Sequence, residues 1–315
     1  MPWFLRSIFE LLKHTASEWI DQNVSRRGAA LAFYTLFAIA PLFVIVPAIA
    51  SLWFGKQAAR RELFTQVTGL VGSEGSEAIQ ALVSAAHKPK TGAWAAAIAV
   101  VTLFVGATGV FVELQDALNS VWGVRRVPGR GMRNFIEDRL LSFALIAGIG
   151  FLLLVSLILS AGLSALGRFT VGLPPTHEPI WQGINFVVSF GVVTLLFAII
   201  FKVLPDVKIA WRDVWIGAII TALLFNLGKF LIGLYLARGV VSSAYGAAGS
   251  LVIVLLWVYY SAQILFFGAK FTQVYSNRYG SHLEPMPGTE ALTPKEVVSE
   301  QRPVVIGQHR EKMPW

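Results

Sequence analysis

The 315-residue chain contains no cysteine, which excludes disulfide staples, thiolate metal sites and thiol catalysis. Charge is scarce as well. Only 14% of residues are charged, against 55% hydrophobic and 22 Phe, proportions wrong for a soluble domain of this size. The five histidines, His14, His87, His177, His282 and His309, are scattered over the ends and connections, with no two at metal-ligand spacing. HExxH, GxSxG, Walker A and dinucleotide-binding patterns are missing. Glu113 and Asp116 alone are too few ligands for a divalent cation. The sequence therefore calls for no cofactor, no resident metal and no enzyme. A cleavable leader is not expected either, because the first 22 residues alternate apolar and charged positions.

What the chain does have is long uncharged runs. The clearest is YGAAGSLVIVLLWVYYSAQILFFGAKFTQVY, Tyr245 to Tyr275, where residues 239–269 carry no formal charge. A helix of that length exceeds the roughly 30 Å of a hydrocarbon core. Similar runs predict six transmembrane helices, at about 28–55, 92–117, 140–167, 181–201, 214–237 and 247–275. The expected fold class is all-α, a polytopic membrane protein with additional amphipathic interfacial helices. Residues 1–27 form the amphipathic N-terminal helix, 28–276 the transmembrane domain and 277–315 a polar, proline-bearing tail expected to be disordered.

The N-terminal segment places Phe4, Ile8, Leu11, Leu12 and Trp19 opposite Arg6, Glu10, Lys13, Ser17 and Asp21, the pattern of a helix lying on a membrane surface. Pro41 and Pro47 fall inside the first span, where they are expected to kink it or shape its packing. Residues 56–91 carry apolar positions at helical spacing and predict two short amphipathic helices covering one membrane face. Ser156, Ser160 and Ser164 make a ridge of small residues suited to close helix contact.

The net charge of +8 does not point to nucleic acid. The Lys and Arg residues stand at the ends of apolar runs, where they orient helices and meet anionic lipid. Six spans put both termini on one side. Assigning that side to the cytoplasm collects seventeen basic residues there, including Arg125, Arg126, Arg130, Arg133 and Arg139, against seven opposite. Both termini are therefore expected to be cytoplasmic.

Candidate site residues are the polar groups that insertion does not require. At 100° per residue Gly249, Tyr260, Gln263 and Lys270 fall on one arc of the last span. Glu113, Asp116 and Lys270 all lie near the cytoplasmic ends of their spans, so an ion pair between Lys270 and one carboxylate is geometrically open. An unpaired charge at the centre of a span costs about 2.5–3.5 kcal/mol on insertion scales. Lys229 lies roughly 21 Å into its span by helical rise and shares a face with Asn226, Gly233 and Ala222. Its ammonium either meets an anionic headgroup or substrate in a cavity or snorkels to the outer interface.

Four segments carry a family resemblance: RRGAALAFYTLFAIAPL (26–42), ELQDALNSVWGV (113–124), LPDVKIAWRDVWIGAIITALLFNLGKFLIGLYL (204–236) and SSAYGAAGSLVIVLLWVYYSAQILFFGAKFTQVY (242–275). Over about residues 10–278 the chain resembles the YihY/virulence factor BrkB family of bacterial inner-membrane proteins. The resemblance implies six transmembrane helices with both ends in the cytoplasm. Members are variously described as virulence factors, transporters or, under a ribonuclease BN label, nucleases; the missing acid-base and metal constellation gives no support to the last. The family's GAxFT motif carries Glu where this chain has Lys270. The expected function is to move or hold an amphiphilic or anionic envelope component among the membrane lipids. Lys229, Lys270, Asn226, Gln263 and Tyr260 are the candidate contacts, with Glu113 and Asp116 as gate or counter-ion. The alternative is a membrane scaffold acting through its basic loops and tail.

Overall fold

The computed structural model describes residues 3–21, 24–54, 56–86, 93–127, 178–237, 248–281 and 283–292. In chain order these form α1 (Trp3–Asp21), α2 (Val24–Phe54), α3 (Lys56–Ala86), α4 (Ala93–Trp122), β1 (Val124–Arg126), α5 (Glu178–Val203), β2 (Val207–Lys208), α6 (Trp211–Ala237), α7 (Gly249–Tyr279), β3 (Glu284–Pro285) and β4 (Thr289–Ala291). Three stretches, Phe186–Val203, Trp211–Leu236 and Gly249–Tyr279, are long and apolar enough to cross a membrane, and they coincide with the last three expected spans. The first two expected spans fall on α2 and α4, of 31 and 30 residues. The span expected at 140–167 lies outside the described residues, as do its serine ridge and Arg130, Arg133 and Arg139.

α7 is the central element, packing on α1, α2, α3, α4 and α6, while α2 packs on α4 and α5 on α6. Its register against α6 comes from two small-residue notches. A Cβ on Gly217 of α6 would overlap Thr272 of α7, and one on Gly268 of α7 would overlap Thr221 of α6. Each threonine turns its hydroxyl back onto its own helix: Thr221 donates to Gly217 O and Thr272 to Gly268 O, both at 2.7 Å. No polar hydrogen is left for the interface, so only shape decides how close the backbones come.

Outside this seam the helices are inverted relative to a soluble protein. Ile219, Leu223, Leu227, Phe230 and Leu234 follow one another along an exposed face of α6, three or four residues apart and hence on one stripe. Phe33 and Phe37 of α2 and Phe186 and Val187 of α5 are exposed too. Apolar surface of this extent is stable against hydrocarbon, not water.

α2 continues through Pro41 and Pro47 as one helix. α3 is two helices joined at Gly72 (φ 81°), as the 56–91 pattern predicts; only glycine takes that conformation without strain. Thr68 donates to Ser76 Oγ across the bend at 2.8 Å. A second positive φ, at Gly123 (71°), ends α4.

The tail is the main correction. α7 runs on to Tyr279, and residues 283–292 are ordered: β4 pairs antiparallel with β1 (Arg125 opposite Glu290) and β3 with β2 (Lys208 opposite Glu284). These two short ladders are also small departures from an all-α chain. Residues beyond Leu292 lie outside the described set. The physical reason is that the connections after α4 and α5 leave backbone donors and acceptors open, which the chain after α7 satisfies. Leu292 N donates to Gly123 O and Met286 N to Asp206 O.

Gly268→Val should force Thr221 out of its notch and lower stability by about 1–3 kcal/mol, read as a lower midpoint of thermal unfolding in detergent. Gly191→Ala, where a Cβ meets no atom within 4 Å, should leave that midpoint unchanged or slightly raised.

Candidate functional site

One end of the bundle, here the α1 face, gathers the polar chemistry. Two aspartates organise it. Asp206, in the turn after α5, accepts from Arg126 Nε at 2.7 Å and from Asn119 Nδ2 at 2.7 Å, and its own N–H donates to Asn119 Oδ1 at 2.8 Å. Gln115, one turn before Asn119 on α4, donates to Leu204 O at 3.1 Å. Asp213, in the first turn of α6, accepts from Ser276 Oγ, Ser281 N and Ser281 Oγ, at 2.9, 2.9 and 3.0 Å, all on Oδ2. Its position also suits the positive end of the α6 dipole. Neither aspartate stood out in the sequence, although both lie within the LPDVKIAWRDV segment that carries the family resemblance.

Glu113 is half-buried and Asp116 exposed. Both lie in the field of Arg27, and Asp116 also in that of Arg126 and Asp206. Neither pairs with Lys270. That ammonium, 1% exposed, donates to Glu18 Oε2 of α1 at 2.5 Å, so its anion is a carboxylate of the surface helix and not one of the two intramembrane carboxylates that were open to it. The reason is geometric: α1 packs directly on α7, and Glu18 sits at the border between its polar and apolar faces. Glu18 also meets His14 Nδ1 at 3.2 Å through Oε1. A carboxylate at the boundary of an amphipathic helix is the signal that points to such a contact.

Lys229 reaches from α6 to the backbone of α3. Its Nζ donates to Gly69 O at 3.0 Å. Gly69 lies just before the Gly72 bend, where interruption of the helix leaves carbonyls without their usual donors; a lysine there also suits the negative helix end. Asn226 turns back onto its own helix, donating to Ala222 O at 2.9 Å.

Tyr260 and Gln263 are brought together, in a groove of about 300 Å³ between α1, α6 and α7. Trp19, Leu227, Leu231 and Phe267 complete its walls with Gly228; a Cβ on Gly228 would overlap Ile264 and press on Tyr260. Gln263 Nε2 reaches Ser25 O at 3.4 Å, but Gln263 Oε1 and Trp19 Nε1 are buried without a hydrogen-bond partner. Two residues of this mostly apolar lining thus each carry a buried polar atom without a partner, one a donor and one an acceptor. Trp19 is a contributor that the sequence suggested only as part of an apolar face. Among the described residues no group of three or more His, Asp or Glu is placed to hold a metal ion.

Membrane-length helices with outward apolar faces and a polar end define a helical integral membrane protein. A profile of the family described as Virulence factor BrkB matches residues 15–293, and the chain belongs to that family. Similar curated proteins include a UPF0761 membrane protein of Pseudomonas aeruginosa (strain LESB58), 29% identical over 269 residues covering 82% of this chain and 61% of the relative. Another, from Methylibium petroleiphilum, is 26% identical over 91% of this chain and 66% of its own length. The chain therefore spans less than two thirds of these relatives. No solved structure matches it.

Glu18→Gln should leave Lys270 buried without an anion and cost about 3–5 kcal/mol, whereas Glu18→Gln with Lys270→Met should recover most of the loss. A double-mutant cycle of unfolding midpoints in detergent measures this. Additive losses would show that the pair is not coupled.

Proposed function

We propose that the protein binds an amphiphilic envelope component in the α1–α6–α7 groove, as a transporter or lipid-handling protein without catalytic chemistry. The observation that carries this reading is the pairing of apolar walls with the unsatisfied Trp19 N–H and Gln263 Oε1. A buried polar group without a partner costs about 1–3 kcal/mol, and a ligand with a carbonyl or phosphate oxygen and a hydroxyl or N–H would relieve both while its alkyl portion fills the groove. The α6 wall residues Leu227 and Leu231 are themselves exposed, so hydrocarbon-soluble ligands have direct access. Lys229 and Lys270, engaged by Gly69 O and Glu18, hold the frame around the groove.

The proposal includes six spans in the bacterial inner membrane, with both termini in the cytoplasm. α4 and α5 both end at the α1 face, where Gln115 meets Leu204, and six spans reconcile this with the apolar run at 140–167. That face carries Arg27, Arg125, Arg126, Lys202, Lys208, Arg212 and Arg278, the side that basic residues select for the cytoplasm.

Gln263→Leu with Trp19→Phe removes both polar atoms and keeps the groove apolar. Mass spectrometry of small molecules and lipids retained by the purified chain should show an amphiphile enriched in wild type and reduced about tenfold in the double variant, the loss of two buried hydrogen bonds. Retention of the same bulk lipid mixture by both proteins would remove the groove from the reading.

A further inference from the structure

A second cavity, of about 380 Å³, opens where α1 meets the end of α7, lined by His14, Glu18, Gln273, Val274, Asn277 and Arg278. Its depth differs from that of the groove: Gln273 lies ten residues beyond Gln263, about 15 Å along the helix axis. Tyr275 and Tyr279 pack at 5.9 Å between ring centroids, and the Arg278 guanidinium lies 5.5 Å from the Tyr279 ring. Tyrosine and arginine at a span's end mark the headgroup layer, as does α1 itself.

The chemistry of the cavity is two-sided. Arg278 and the Asn277 amide supply donors. On the other side stand acceptors: Glu18, 35% exposed beside its bonds to Lys270 and His14, and Gln273 Oε1, buried with no hydrogen-bond partner. Glu10 of α1 stands 3.9 Å from Arg278. An anion alone leaves Gln273 Oε1 unserved, and a metal cation alone leaves Arg278 opposed. A headgroup carrying both a phosphate and N–H donors serves both sides.

We propose that this cavity seats the headgroup of a phospholipid bearing a primary ammonium. The ammonium donates to Gln273 Oε1 and Glu18, and the phosphodiester faces Arg278 and Asn277. A primary ammonium has three N–H donors, whereas a quaternary ammonium of the same charge has none. The inference does not rest on the groove, which lies deeper and takes a different part of a ligand.

The test uses the full chain in nanodiscs of a neutral diacyl background doped with phosphatidylethanolamine, its N-methyl and N,N-dimethyl forms or phosphatidylcholine, scoring lipids retained by native mass spectrometry. Retention should fall stepwise with methylation, with about fivefold preference for the primary amine over phosphatidylcholine, the scale of one charge-assisted bond. Gln273→Leu should bring that ratio close to one without lowering the unfolding midpoint. Equal retention of the two end members by wild type, or an unchanged ratio in Gln273→Leu, overturns the assignment; the methylation series alone decides it should the variant not fold. Soluble glycerophosphoethanolamine is the remaining arm. It should compete only weakly, and binding as tight as that of the lipid overturns the membrane as its source.

Discussion

A lysine ammonium buried among membrane helices must find an anion, and much of this structure follows from how Lys270 finds one. The partner comes from α1, a helix outside the expected spans, so an amphipathic surface helix is tied to the central helix by a buried ion pair. Lys270 lies between Gly268 and Thr272. The same turn of α7 that is notched against α6 therefore also carries the charge that holds α1. Close packing fixes the turn's height, and the ion pair fixes α1 against it. Trp19 follows Glu18 in sequence, so docking the carboxylate also delivers the indole to the wall of the groove.

The rest of the α1 face obeys the same rule with weaker charges. Asp206 joins α4 and β1 to the turn after α5, and Asp213 joins the start of α6 to the end of α7. Each gathers donors from segments far apart in the chain, and each is satisfied by several bonds. A desolvated carboxylate is stable only under that condition. The ladders β1–β4 and β2–β3 extend the same accounting to the backbone, closing connections that would otherwise present open N–H and C=O groups near the bilayer. The opposite face uses a lighter device, a lysine placed on the carbonyl freed by the bend in α3.

The parts of this architecture that depend on periodicity and length were legible in the sequence. The last three spans, the amphipathic character of α1 and the bent pair of helices in α3 all follow from apolar spacing, because a bilayer imposes one requirement on every residue of a span. Partner identity was not legible. Glu113 and Asp116 were open as partners for Lys270 because those carboxylates share its depth; Glu18 wins through a docking angle that no pattern within one helix encodes. Lys229 likewise pairs with a backbone carbonyl, a partner that side-chain inventories overlook. Residues 283–292 look like tail by composition, yet they order because their partners are exposed strand edges elsewhere in the chain. Tyr260 and Gln263 stood out as candidates because their polarity interrupts an apolar helix. Their companion Trp19 was hidden because tryptophan also belongs on the apolar face of any surface helix.

Polar satisfaction is uneven across the fold. Among the described residues four buried side-chain atoms have no hydrogen-bond partner: Trp19 Nε1, Trp122 Nε1, Gln263 Oε1 and Gln273 Oε1. Three of the four flank the seam between α1 and α7, and each of those three residues lines a cavity. The aspartates nearby show that this fold can satisfy a demanding polar group when it brings enough donors together. Buried atoms left without a partner at a seam are the exception in a fold that otherwise satisfies its polar groups. Among the described residues α1 adds Leu11 and Leu12 to the apolar cluster around Phe271 and Val274 and packs Trp19 on the main core, so the seam joins an ion pair to apolar packing.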